Sequence, residues 1–150
     1  DSTAARARAR MPEILRRRDD RIALDLPDDL PAVRADPGLL ERVLENLVAN
    51  ADRHLPEGQQ VTIAANRAGD QLAIAVIDHG PGVAAARFDR LFAPFQHFGD
   101  RTTSGVGPGL SIASGFTAAM DGTLTPSVTP GGGLTMTVRL EVADEPAADR

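Results

Sequence analysis

The sequence contains no cysteine, tryptophan or tyrosine, and all 16 of its basic residues are arginine. Without cysteine the chain has no disulfide, no thiolate metal site and no cysteine nucleophile. Without lysine it cannot serve a Walker-type phosphate loop, a Schiff base or the phosphate-pairing role of protein-kinase lysines, so any nucleotide chemistry must be of a lysine-free kind. Aromatic residues supply 3% of the chain, which leaves Leu, Val, Ile and Ala to build the core. No apolar run approaches the roughly 20 residues that cross a bilayer, and nothing resembles a secretory signal. A reducing cytoplasm is the expected setting, with any membrane attachment made through parts of a longer protein.

What is present suits one globular domain. The 42% hydrophobic and 25% charged residues among 150 can bury a single core, whereas two independent domains would be crowded. A net charge of -5 argues against the basic footprint of a nucleic-acid binder, so no nucleic-acid partner is expected. Arg6, Arg8, Arg10, Arg16, Arg17 and Arg18 crowd the start in the manner of a solvated helix face. The chain begins at Asp1 rather than methionine and is expected to be a piece of something longer.

Patterning predicts a helix over Thr3 to Arg18, a short strand over Arg21 to Asp25 and an extended piece over Pro31 to Ala35. Asp36-Pro37 is a helix-start signal for a helix running to about His54, where Pro56 and Gly58 end it. Val61 to Ala65 and Leu72 to Asp78 read as a hairpin around Gly69-Asp70. Pro94 to Pro108 reads as a long loop, followed by a helix from Gly109 to about Met120. Leu134, Met136, Val138 and Leu140 alternate with polar residues as a half-buried strand, paired through the Gly131 to Gly133 turn with a strand holding Leu124. Segregated helices and strands of this kind predict an α+β fold, a two-layer α/β sandwich with a mixed, mostly antiparallel sheet. The domain is expected to span residues 1–142, with a frayed tail over 143–150.

Four short segments carry chemistry. On the wheel of the helix after Asp36, Leu39, Leu40, Val43, Leu44, Leu47 and Ala51 form the apolar arc, and Asn46 and Asn50 sit at its rim with Arg53 just beyond. Two readings fit: boundary asparagines paired with backbone, or an amide oxygen offered to magnesium with a second amide one turn away for phosphate or water. Asp78-His79-Gly80-Pro81-Gly82 leaves a strand either as an Asp-initiated tight turn or as a carboxylate that a flat ligand can reach past two glycines. Phe92, Phe95 and Phe98 either pack a loop onto the domain or anchor a mobile lid. Gly105-Val106-Gly107-Pro108-Gly109-Leu110 opens a helix, where free amides and the helix dipole favour phosphate.

In this order the four segments resemble the nucleotide-binding boxes of sensor histidine-kinase catalytic domains, which share the Bergerat ATP-binding fold with gyrase, heat-shock chaperones and mismatch-repair ATPases. The resemblance covers roughly Leu30 to Leu140. It implies ATP and magnesium as cofactors, with Asn50 as the magnesium ligand and Asn46 and Arg53 near the phosphates. It also implies Asp78 on the adenine amino group, Gly80 and Gly82 shaping the adenine pocket, and Gly105, Gly107 and Gly109 bounding a lid. Phe92, Phe95 and Leu110 complete the ATP-binding set, and His54 lies on the pocket side of the asparagine helix. Longer strings, among them DLPDDLPAVRADPGLLERVLENLVANADRH and LTPSVTPGGGLTMTVRL, are similar to the potassium-sensing kinases of actinobacteria. Two departures stand out: Pro108 inside the lid loop and Asp52 after the asparagine box, where the family usually has apolar residues.

The resemblance further implies transfer of the γ-phosphate to a histidine on a dimerisation domain, and from there to a response regulator. His54, His79 and His97 precede Leu55, Gly80 and Phe98, whereas the family's acceptor histidine is followed by an acidic residue. The acceptor is therefore expected outside this chain. Other occupants of the same fold remain open at this point: a serine kinase, a chaperone- or repair-type ATPase, or a nucleotide-binding module without turnover.

Overall fold

The computed structural model describes residues 8–9, 22–53, 59–80 and 109–143. Seven strands and two helices lie within them: β1 (Arg8–Ala9), β2 (Ile22–Asp25), β3 (Val33–Arg34), α1 (Pro37–Arg53), β4 (Val61–Ala68), β5 (Gln71–Ile77), α2 (Gly109–Ala119), β6 (Thr123–Val128) and β7 (Leu134–Glu141).

Local chemistry accounts for the element boundaries. Asp36 Oδ1 accepts the N–H of Gly38 at 2.8 Å and of Leu39 at 3.1 Å, so the cap expected from Asp36-Pro37 forms and fixes the start of α1. Two residues join β4 to β5, and the first of them, Gly69, adopts a φ of 64° that a side chain would resist. Helix α2 stops where Asp121 turns left-handed at φ 62° and the N–H of Gly122 reaches back to Thr117 O at 2.9 Å.

The strands form a five-stranded sheet in the order β2-β4-β5-β7-β6, with β2 parallel to β4 and the other pairs antiparallel. The expected mixed, mostly antiparallel sheet is therefore what forms. Alternation sends Val61 and Ile63 of β4, Leu72, Ile74 and Val76 of β5, and Met136, Val138 and Leu140 of β7 to one face. There they meet Leu40, Leu44 and Leu47 of α1 and Leu110 and Ala113 of α2 in a single core. Helices α1 and α2 also pack against each other. The result is a sandwich of one helical layer on one sheet face. No helix among the described residues is long and apolar enough to cross a membrane.

Two expectations change. The helix read over Thr3 to Arg18 does not hold at Arg8–Ala9, which is extended and pairs antiparallel with β3, Arg8 opposite Arg34 and Ala9 opposite Val33. Backbone pairing between residues 24 and 26 positions apart, which no local pattern reveals, outweighs helix propensity there. The remainder of that helix lies outside the described residues. Ala143, read as the first residue of a frayed tail, is buried and donates its N–H to Ala32 O at 2.9 Å. The rest of the tail, residues 144–150, lies outside the described residues.

Candidate functional site

Asn46 and Asn50 are one turn apart on α1, which places both on the same side of the helix. Asn46 is half-buried. Asn50 is 6% exposed, and its Oδ1 is a buried oxygen with no hydrogen-bond partner among the described residues. Among the described residues no backbone group pairs with that oxygen. An unpaired buried acceptor costs about 1–3 kcal/mol, so its retention calls for an explanation. A hard cation or a donor group of a ligand supplies one.

Asp78 follows the last residue of β5 and continues the inward alternation of Leu72, Ile74 and Val76, which turns its side chain toward the helical layer that also carries Asn50. It is 5% exposed. Its Oδ1 accepts two backbone N–H groups, Gly80 at 3.0 Å and Leu134 at 3.1 Å. The Gly80 bond is the Asp-initiated tight turn anticipated from the sequence. It occupies one oxygen, and Oδ2 accepts no hydrogen bond among the described residues.

Residues that sequence reasoning did not single out as site residues hold this carboxylate in place. Asp78 N donates to Leu134 O at 3.0 Å, and Asp78 O accepts from Thr129 Oγ1 at 3.0 Å. Thr129 is 3% exposed. In the turn between β6 and β7, Gly133 has a φ of 116°, and a Cβ built on it would lie 2.0 Å from Asp78 O. The Gly131 to Gly133 run, which predicts a turn, is also the signal in the sequence for such a close approach.

The other sequence-predicted residues fall as follows. Gly80 contributes its N–H to Asp78, Gly109 opens α2, and Leu110 is fully buried in the core. Arg53 closes α1, but its side chain lies outside the description. His54, Gly82, Phe92, Phe95, Phe98, Gly105, Gly107 and Pro108 lie outside the described residues, as does His97. Among the described residues no cluster of three or more His, Asp or Glu side chains could hold a metal. What Asn50 offers a ligand is a neutral amide oxygen, a hard donor of the kind that hard cations accept.

Comparison with known proteins bears on this arrangement. The family model described as histidine kinase-, DNA gyrase B-, and HSP90-like ATPase matches residues 35–144. The chain is 53% identical over 135 residues to the sensor protein KdpD of Rathayibacter rathayi, an alignment that takes in 87% of this chain and 16% of that protein. It is 46% identical over 127 residues to the sensor protein KdpD of Mycobacterium tuberculosis, across 84% of this chain and 14% of that one. Among solved structures, full-length ShkA in complex with AMPPNP superposes with a TM-score of 0.77 at 28% identity, covering 93% of this chain and 32% of ShkA. The mycobacterial sensor histidine kinase MprB superposes at a TM-score of 0.75 over 93% of this chain and 99% of that one, and at 20% identity it speaks for the fold alone.

Proposed function

Because the chain belongs to the histidine kinase-, DNA gyrase B- and HSP90-like ATPase family, we propose that it is the ATP-binding catalytic domain of a KdpD-type sensor histidine kinase. In this reading it binds Mg-ATP and offers the γ-phosphate to a histidine on a dimerisation domain outside this chain. A response regulator then takes the phosphate. The sensor as a whole would answer to potassium, as the likeness of the longer strings suggests. A domain that consumes ATP works where ATP is, which is the cytoplasm.

The observation that carries the proposal is Asn50 Oδ1, without a partner among the described residues and buried on the side of the sheet to which Asp78 also turns. Asn50 would hold magnesium through that oxygen, with Asn46, Arg53 and His54 toward the phosphates. When bound, the ion supplies positive charge against the phosphate oxygens. Asp78 Oδ2 would accept the adenine amino group, with Gly80 and Gly82 beside the base. Phe92, Phe95, Gly105, Gly107, Gly109 and Leu110 would form and anchor the covering segment. Catalysis then rests on positioning and on neutralising charge, since in-line transfer from ATP to an imidazole nitrogen asks for little else from the protein.

Calorimetry with and without magnesium tests the metal role. Asn50→Ala should keep the wild-type fold and lose at least about tenfold of the affinity that magnesium adds, the range seen when even outer partners of a metal site are removed. A mutant with the wild-type magnesium dependence removes Asn50 from the site. A second experiment tests the group transfer. Incubated with radiolabelled ATP, this chain alone should take up no acid-labile phosphate, because none of its three histidines has the acceptor context. Adding the dimerisation domain of the same protein should bring label onto that domain. Acid-labile phosphate on His54, His79 or His97 would overturn the assignment of the acceptor.

A further inference from the structure

Asp78 is gripped at three atoms. Leu134 O takes its N–H and Leu134 N serves its Oδ1, both through main chain that any residue would supply. The third grip, on Asp78 O, depends on a side chain: Thr129 Oγ1 lies 3.0 Å from that carbonyl and 2.8 Å from Thr135 Oγ1.

The direction of this chain of hydroxyls follows from counting protons. A hydroxyl has one, and a carbonyl oxygen has none to give. Thr129 must therefore donate to Asp78 O, and the proton between the two threonines must come from Thr135. Thr135 stands opposite Ile77 in the β5–β7 register, on the sheet face away from the helices. The relay thus runs Thr135 to Thr129 to Asp78, from the outer face of the sheet to the carbonyl of the residue whose carboxylate turns inward. Successive donors polarise one another, which strengthens the final bond to the carbonyl.

From this geometry we infer that Thr129 is a positioning residue for Asp78, with Thr135 as its donor, and that the pair sets the discrimination between adenine and guanine by fixing the direction of a carboxylate neither of them shares. The inference rests on the proposed role of Asp78 at the adenine amino group. Without the Thr129 hydroxyl, the Asp78 carbonyl is left buried and unpaired, and the segment from Asp78 to Gly80 gains freedom to rotate.

Three variants separate this role from mere structural support. Thr129→Val keeps the shape and removes the donor, Thr129→Ser restores it, and Thr135→Val removes only the second link. In nucleotide-free protein, amide hydrogen exchange at Gly80 and Leu134, the two donors on Asp78 Oδ1, should run about tenfold faster in Thr129→Val, with exchange at Ile74 unchanged. Thr129→Ser should stay within about twofold of wild type, and Thr135→Val should fall between the two. In competition assays, Thr129→Val should lower the ratio of ATP to GTP affinity by about threefold or more, and Thr129→Ser should recover it. A purely structural defect would weaken both nucleotides by one factor, so an unchanged ratio overturns the inference. Unaltered exchange at Gly80 and Leu134 in Thr129→Val overturns it as well. A wild-type protein that does not distinguish the two bases instead removes the adenine reading of Asp78, and the exchange result then decides on its own whether Thr129 positions that residue.

Discussion

Asp78→Asn is expected to weaken ATP by about ten- to a hundredfold, to leave GTP far less affected, and to keep the protein folded. The two backbone N–H groups at Oδ1, from Gly80 and Leu134, decide how the amide must sit. Its oxygen stays with those donors, since turning the amide over would set N–H against N–H. The nitrogen then takes the place of Oδ2 and presents a donor to the base. In the proposed pose adenine would offer a donor amino group there and be repelled, whereas guanine would offer a carbonyl oxygen and be accepted. The wild-type carboxylate, an acceptor only, has the opposite preference and should favour ATP over GTP by at least about tenfold. Competition of both nucleotides against a fluorescent ATP analogue measures each preference, and wild-type affinities that match would take Asp78 out of the adenine pocket.

Gly133→Ala should lower the melting temperature by roughly 10 °C. Two penalties combine at this position: a φ of 116° that a side chain resists, and a new Cβ at 2.0 Å from Asp78 O and 2.8 Å from His79 Cα. Backbone strain costs about 1–3 kcal/mol and forced overpacking about 1–3 more, against a total stability on the order of 5–15. Each kcal/mol moves the midpoint by about 2–4 °C in a chain of this size. Gly132→Ala is the control, because its φ of 120° is equally unsuited to a side chain but its Cβ would meet nothing within 4 Å. It should show the strain alone, about half the loss. Thermal unfolding of the two variants side by side separates the terms, and equal midpoints would mean that the approach to Asp78 carries no cost.

Much of the fold was legible because it is written in short-range patterns. The cap at Asp36, the inward alternation of Leu134, Met136, Val138 and Leu140, and the hairpin at Gly69 each follow from residues within a few positions of one another. The rim position of Asn50 was legible for the same reason, as a matter of helical angle. What escaped depends on partners far along the chain. Arg8–Ala9 reads as helix from its neighbours and is a strand because Val33–Arg34 lies beside it. That β5 pairs with β7, and that β2 joins β4 in parallel, are choices among strands whose patterns suit several neighbours. The same gap hid Thr129 and Gly133, whose part at Asp78 arises when a turn some fifty residues later in sequence folds onto it.

That distance has a consequence for how the site comes into being on the ribosome. Leu134, which provides the second donor to Asp78 Oδ1, follows it by 56 positions. At about 5–20 residues per second of synthesis, strand β5 waits roughly 3–11 s for the strand that completes it. A nascent chain that has emerged through α2 already holds Asn50 and Asp78, yet it lacks the hairpin that orients the carboxylate. Nucleotide can therefore reward only a chain in which β7 has been made, and a messenger cut short before β7 would yield polypeptide that ATP does not rescue from proteolysis.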